Sequence, residues 1–393
     1  MDKEIKNGVA ESIAGIIEAY DRQGFHRTGT ETDTESARWL AGQIHSAGQE
    51  AVLSGFPHLR VDPIRTELLI DNETIPGIPL FDGTFTDEDG VTGKVGIPGG
   101  GLPITVGRFI TNHDWADPVF SQARRENTFK AMIAVCQQPA PEDKPGLTPT
   151  NADDFTAPFG PPVLQIASGD EARVMDAVSS QRDVRLIAQV ERTEVEAYNV
   201  EVVIKGRNRA LPPLLVITPR SGWWQCASER GGGISIWLEM IRTLSENPPD
   251  RDVHFVASTG HELGHLGLDF FLDRDRTLLQ KAYAWIHLGA NPAALASPVR
   301  LQASDTEMLD MAVNALTSVP GQDTLVTPLD TRPLGEARNI FDGGGRYISL
   351  LGKNRLFHHP DDRWPGAVDL EKITGISEAF VRLAVELASV PTG

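Results

Sequence analysis

Residues 253–265 read Val-His-Phe-Val-Ala-Ser-Thr-Gly-His-Glu-Leu-Gly-His, and the way this stretch divides decides the fold. Val253 to Ala257 is an apolar run with β-branched and aromatic residues, which predicts a strand, and Gly260 predicts a turn straight after it. The same strand-then-helix grammar surrounds it. Upstream, Leu214 to Ile217 is a short apolar run behind Pro212 and Pro213, and Ile234, Trp237, Leu238, Ile241 and Leu244 recur at helical spacing. Downstream, Ala282 to Ile286 and Ile348 to Leu351 read as two more strands, and Ile373, Ile376, Phe380, Leu383 and Leu387 as a closing helix. Continuous apolar strands alternating with helices predict an α/β fold with a mixed, mostly parallel sheet covered by helices on both faces. In such sheets ligands gather beyond the carboxyl ends of the strands.

Further out the character changes. Ile5, Val9, Ile13, Ile17 and Tyr20 form one helical face. A second helix carries Ala37, Leu40, Ala41 and Ile44, with Thr32 and Glu35 as a capping box and Gly48 as its stop. From about residue 60 to 195, Gly/Pro-rich turns separate short apolar runs such as Ala131 to Val135 and Val163 to Ile166, and Gln137 to Pro162 contains seven prolines. Proline denies a strand or helix its backbone donor, so this region reads as a β-rich module with a long irregular loop.

The 393 residues carry a formal net charge of −18 with pI near 5.0. Binders of nucleic acid or of anionic membranes need basic patches that displace counterions, so neither partner is expected. Two cysteines, Cys136 and Cys226, exclude a disulfide scaffold or a Cys-rich zinc module. No run of about 18 apolar residues occurs and the first residues do not form a basic-then-apolar leader, so a cytoplasmic protein is expected.

Chemistry-bearing residues crowd the strand ends. Five of the ten histidines (His261, His265, His287, His358 and His359) follow Gly260, each beyond a strand or in a loop. Ser228-Glu229-Arg230 follows the strand at Leu214, and Asp361 and Asp362 follow His359. Four strand ends thus offer imidazole or carboxylate, the donors that suit zinc or a similar divalent ion. His261-Glu262-Leu263-Gly264-His265 also matches HExxH, in which two histidines one helical turn apart bind zinc. That motif needs a helix through all five positions, and Gly260 and Gly264 speak against one, so the match is read as accidental.

Gly-x-Glu-Leu-Gly-x-x-Gly at 260–267, a strand ending in a ligand, and a late His-x-Pro-x-Asp come in an order that resembles the dizinc aminopeptidase family, which includes glutaminyl cyclase, glutamate carboxypeptidase and the non-catalytic transferrin receptor. The resemblance covers nearly the whole chain. It implies a discontinuous aminopeptidase-like domain at 1–60 and 196–393, interrupted at 61–195 by a module that resembles a protease-associated domain. It also implies two metal ions, yet this chain departs from the family's ligand pattern. Thr218 stands where the family has its first His, and Arg220 where the supporting Asp would be. Glu229 takes the place of the bridging Asp, His261 that of the catalytic Glu, Glu262 that of the ligand Glu, His287 that of the second Asp, and His358 that of the late His. Phe357 replaces a frequent Tyr.

The resemblance and these departures together imply a hydrolase acting on an amide bond of a carboxylate-bearing small molecule or short peptide. Glu229, Glu262 and His358 are expected to hold one divalent ion, zinc before others, with His287 as fourth ligand or substrate contact, and a metal-free site stays open. His261 is expected to act as general base. Arg220, Trp223, Trp224, Arg230 and His359 are the expected substrate contacts, with Arg332, Arg338 and Arg346 adding positive charge nearby. The alternatives are a non-catalytic binding protein on the same fold and an ordinary zinc aminopeptidase. A homo-oligomer is left open.

Overall fold

The computed structural model describes residues 3–110, 118–137, 144–321 and 323–390. Its strands are β1 (Val52–Ile70), β2 (Glu73–Pro79), β3 (Val91–Gly96), β4 (Ile104–Ile110), β5 (Ala131–Gln137), β6 (Val163–Ile166), β7 (Asp183–Ile204), β8 (Leu214–Pro219), β9 (Val253–Ser258), β10 (Ala284–Leu288), β11 (Val299–Ala303), β12 (Thr324–Val326) and β13 (Tyr347–Gly352). The helices are α1 (Lys3–Asp21), α2 (Glu31–Ser46), α3 (Pro118–Glu126), α4 (Glu171–Ser179), α5 (Gly231–Glu246), α6 (Leu266–Arg274), α7 (Leu278–Lys281), α8 (Thr306–Leu316), α9 (Ala337–Asp342) and α10 (Leu370–Ala388).

The strands join in one mixed sheet of order β1-β2-β6-β5-β4-β3-β7-β9-β8-β10-β13-β11-β12, so the fold is α/β as the periodicity predicts. Its centre, β9-β8-β10-β13, is parallel, and each of these strands is buried almost throughout, which is why they read as unbroken apolar runs. One face packs on α1, α2, α5, α8 and α10 through Ile13, Trp237, Phe255 and Phe380; the other packs on α6, α7 and α9 through Leu268, Leu279 and Ile340.

Residues 68–188 contribute their own apolar cluster, with Ile75, Val95, Ile133, Leu164 and Val174 at its centre. It connects to the central strands through β1 and β7, of 19 and 22 residues, which pair antiparallel from Val52↔Glu201 to Ile70↔Val184 with a register shift between Pro63 and Arg65. Pro139 and Pro141 of the proline-rich stretch lie outside the described residues. From Lys144 onward that stretch has no regular structure, yet it runs inward: Thr148, Thr150 and Ala152 are buried.

The second helix begins two residues earlier than its capping box suggests. Thr30, not Thr32, is the N-cap, because its hydroxyl is the one in place to accept the Asp33 amide, at 3.2 Å. No described helix is long and apolar enough to cross a membrane.

Candidate functional site

The carboxyl ends of β8, β9, β10 and β13 converge on one buried polar cluster. Two glycines make this approach close. A Cβ on Gly233 would lie 2.8 Å from Thr218 Oγ1 and one on Gly232 2.7 Å from Ala293 Cβ, so only glycine lets the first turn of α5 settle onto the sheet edge. After β9 the chain turns through Gly260 (φ 86°), a short 3-10 turn at His261–Leu263, Gly264 (φ 81°) and His265 (φ 69°). The HExxH residues are therefore not helical. The left-handed turn still folds His265 back on His261, with ring centroids 5.2 Å apart.

Glu336, just before α9, is the carboxylate around which this half of the site is built. His261 Nδ1 lies 2.7 Å from its Oε1 and His287 Nε2 lies 3.1 Å from its Oε2. An ionised carboxylate only accepts, so both rings donate to it. His287 then accepts through Nδ1 from Ser349 Oγ at 2.8 Å, and His261 is left with a free Nε2 lone pair. Burial pushes the Glu336 carboxyl up, but the His261 and His265 rings and the bonds from His261 and His287 outweigh it and hold it well below the usual range. Burial first, and then the Arg230 charge, bring His261 down to about 4.

His265 is set by a chain of its own: its Nδ1 lies 2.8 Å from Asn339 Oδ1, and Asn339 Nδ2 donates to Asp269 at 2.9 Å. His261, His265 and Glu336 are all buried, each offers a ligand atom within 4.8 Å of the other two, and among the described residues they are the one group of three that does so. Two imidazoles and a carboxylate fit zinc, and the bonds from His287, Ser349 and Asn339 are the outer support such ligands need. His265 Nε2 is 3.3 Å from Arg338 Nη2, and Arg338 Nη1 is 3.2 Å from Asp153 Oδ2, so a metal at that imidazole nitrogen would have to displace the guanidinium contact.

The other half of the site holds the residues expected as ligands, differently engaged. Glu262 accepts at Oε1 from the Thr28 amide and hydroxyl, at 2.8 and 2.7 Å, and at Oε2 from Ser221 Oγ at 2.7 Å. Glu229 Oε1 lies 2.8 Å from Arg230 Nη2 and 3.6 Å from His358 Nε2. Neither approach is aligned as a hydrogen bond, so Glu229 Oε1, His358 Nε2 and both terminal nitrogens of Arg230 are buried without a hydrogen-bond partner. Burial raises the Glu229 carboxyl, but Arg230 foremost, then His358 and His261, hold it below its usual value. Asp362 braces this half from behind, accepting from the Ser228 amide and hydroxyl and from the Glu229 amide.

The remaining expected contacts are placed as follows. Arg220 is wholly buried and donates to the Asp33 carboxylate at 2.7 Å and to the Asp33 and Tyr198 carbonyls, so its charge is neutralised by α2. Trp223 is buried and donates to Asn151 Oδ1 at 3.2 Å; Trp224 donates to the His358 carbonyl at 2.8 Å. His359 is buried against Gly146, where a Cβ would lie 2.2 Å from its Nε2. His358 Nδ1 donates to Pro149 O at 2.6 Å, and the Ala152 amide to Glu262 O at 2.8 Å. The loop from Gly146 to Ala152 thus roofs the Glu229 half. Arg346 pairs with Asp305 and Glu307, away from the cluster.

Glu336 is absent from the sequence reading. It sits in Pro333-Leu-Gly-Glu-Ala, which carries no motif and no periodicity, and only tertiary packing brings it to His261, 75 positions away in the chain.

With this geometry in view, known proteins supply the frame. A zinc aminopeptidase from Bacillus subtilis, BSAP, superposes with a TM-score of 0.78 over 99% of this chain and 96% of its own, at 17% identity. The chain has the zinc-aminopeptidase fold. A Peptidase M28 precursor from Shewanella amazonensis SB2B gives a TM-score of 0.75 at 15% identity, covering 100% of this chain and 98% of its own. An aminopeptidase from Aneurinibacillus sp. strain AM-1 gives 0.70 at 16%, covering 97% and 94%. In sequence, aminopeptidase YwaD of Bacillus subtilis (strain 168) is 27% identical over 134 residues, a match spanning 33% of this chain and 28% of that protein. No family model matches the sequence.

Proposed function

We propose that the chain is a metal-dependent hydrolase of an amide bond in a peptide or peptide-like small molecule, with a single divalent ion held by His261, His265 and Glu336. The observation that carries this is the buried two-histidine, one-glutamate group with its ligand atoms within 4.8 Å of one another. It lies at the strand ends of a fold shared with zinc aminopeptidases. A zinc ion held so would act as a Lewis acid on the substrate carbonyl and lower the pKa of water. The protein's own part is positional. His287 fixes one oxygen of Glu336, His261 the other, and Asn339 orients His265, so the donors are set before substrate arrives. Arg230 is a fixed buried cation whose field reaches His261, suited to charge that develops on a carbonyl oxygen.

A second assignment of ligands, Glu229, Glu262 and His358 with His261 as general base, is favoured by the unpartnered Glu229 Oε1 and His358 Nε2. In that arrangement Glu336 orients His261 as a carboxylate orients the base of a catalytic dyad. Against it stands the guanidinium against Glu229; both carboxylates, Glu262 and Glu336, have their oxygens engaged, so that feature does not separate the two assignments. We also place the protein in the cytoplasm, where buried, unpaired Cys136 and Cys226 stay reduced, and treat 61–195 as the inserted module, which its separate apolar cluster supports.

The test is turnover of a panel of dipeptides and N-acyl amino acids by zinc-loaded protein, with and without chelator. Chelator-sensitive hydrolysis supports the reading. Zinc-loaded protein that cleaves no member contradicts it.

A further inference from the structure

The segment that carries His261 and His265 has only a short 3-10 turn of its own to hold it. Three of its residues, Gly260, Gly264 and His265, take left-handed φ values of 86°, 81° and 69°. A backbone of this kind persists only where its surroundings over-determine it. Here three side chains from distant parts of the chain supply the hold: Thr28 from the loop between α1 and α2, Ser221 from just after β8, and Asn199 from β7.

A hydroxyl has one proton to give and two lone pairs to fill. Ser221 Oγ donates to Glu262 Oε2 at 2.7 Å and accepts from the Gly260 and His261 amides at 2.9 and 3.2 Å, so its capacity is full. Thr28 Oγ1 donates to Glu262 Oε1 at 2.7 Å and shares the Gly260 amide at 2.9 Å, while the Thr28 amide donates to the same carboxylate oxygen at 2.8 Å. Asn199 closes the two ends of the turn, accepting from the Thr259 amide at 3.2 Å and donating to the Gly267 carbonyl at 2.7 Å. The two hydroxyl-bearing segments are also tied to each other. Asp33 accepts from the Gly29 amide at 2.9 Å and from Arg220 Nη1 at 2.7 Å, the immediate neighbours of Thr28 and Ser221. Thr28, Ser221 and Glu262 are all buried, so deleting either hydroxyl leaves a carboxylate oxygen short of a donor where water has no ready access, and deleting that of Ser221 also takes the acceptor from the His261 amide.

We infer that Thr28 and Ser221 are positioning residues for the metal centre: with Glu262 as their common anchor, they hold the left-handed turn in the form that brings His261 and His265 to Glu336. This rests on the ligand assignment proposed above. Both hydroxyls act through the backbone, since their bonds go to amides and to Glu262 and not to an imidazole. The role of Glu262 is then that of a strut between the segment at Thr28 and the strand end at Ser221, and its place beside His261 in the sequence serves the turn. Outer supports of a metal site are worth about 10–100-fold in metal affinity, which sets the size of the effect expected.

The experiment measures zinc affinity of the full chain by competition with a chromophoric chelator, in the wild type, Glu336→Gln, Thr28→Val, Thr28→Ser, Ser221→Ala and Thr105→Val. Thr28→Val keeps the shape and deletes the hydroxyl, whereas Thr28→Ser keeps the hydroxyl. Thr105→Val is the control: it deletes a buried hydroxyl of β4 that donates to the Gly96 carbonyl, within the separate apolar module. The expected result is a loss of zinc affinity of about 10–100-fold in Thr28→Val and Ser221→Ala, with wild-type affinity in Thr28→Ser and Thr105→Val. Should Thr28→Val not fold, Ser221→Ala against Thr105→Val carries the same comparison. Wild-type affinity in either hydroxyl deletion, or an equal loss in Thr28→Ser or Thr105→Val, overturns the inference and leaves the ligand assignment standing, provided that Glu336→Gln has lost its zinc. A wild type that binds no zinc, or a zinc ion that Glu336→Gln retains, overturns the ligand assignment and the inference with it.

Discussion

The two halves of the strand-end cluster hold similar residues and treat charge in opposite ways. Around Glu229 and His358 the counter-charge is covalent: the Arg230 guanidinium lies 2.8 Å from Glu229 Oε1, and the loop at Pro149 closes over the top. Around Glu336 the partners are imidazoles, and the space beside His265 is open. On the proposed reading a divalent ion is disfavoured by the Arg230 guanidinium against Glu229 and held by His261, His265 and Glu336, where Arg338 Nη2, 3.3 Å from His265 Nε2, would have to give way. On that reading the net charge of a cluster, and not only the residue types at a family's positions, decides whether it holds a metal.

The largest effect that would break this contrast is at Glu336. Glu336→Gln keeps the shape and removes the charge, and turnover is expected to fall at least about 100-fold, since even outer partners of a metal site change activity 10–100-fold. Equal kcat/KM for the variant, measured on any substrate the wild type cleaves, would remove Glu336 from the site.

Next comes Arg230. Arg230→Met leaves Glu229 buried and unpaired, which is expected to cost about 3–5 kcal/mol in denaturant unfolding. Glu229→Gln with Arg230→Met should restore much of that. The single variant should also gain affinity for a second zinc ion, because the repelling cation is gone. A zinc content unchanged by the substitution would show that something other than Arg230 keeps the ion out.

Smaller effects sharpen the comparison. His287→Asn or Ser349→Ala removes support from Glu336 without removing a proposed ligand, so zinc affinity should weaken about 10–100-fold. The histidines also set an acid limit. His261 is brought down to about 4, and His26, stacked on Tyr20, is lowered to about 3, in both cases chiefly by burial. Their unfolded-state values are near 6.5, so below that pH the unfolded chain takes up protons that the fold refuses. Each of these histidines should cost up to about 1.4 kcal/mol per pH unit as pH drops from about 6.5 toward 4, while buried Asp362, pushed up to about 7, offsets one of them over the same range by binding its proton in the fold. Denaturant midpoints at pH 7.5 and 5 measure it, and His26→Gln should make the fall shallower.

Much of the fold was legible because its central strands are buried on both faces and therefore write themselves as apolar runs. The site was legible only in part. Gly260 and Gly264 correctly argue against a helix at His261–His265, yet the same glycines create the left-handed turn that brings the two rings together. Spacing arguments assume regular structure and are blind to such turns. Arg220 and Arg230 are near neighbours in sequence, and nothing local says that Asp33, 187 positions from Arg220, neutralises the first and leaves the second to face Glu229. Glu336 is similarly invisible, a lone acid in an irregular loop.

The most direct test of the central claim is the zinc content of three purified proteins: wild type, Glu336→Gln and Glu229→Gln. The account predicts one ion per chain in the wild type, its loss in Glu336→Gln and its retention in Glu229→Gln. An ion that persists in Glu336→Gln and disappears in Glu229→Gln would contradict it and move the metal to the other half of the site.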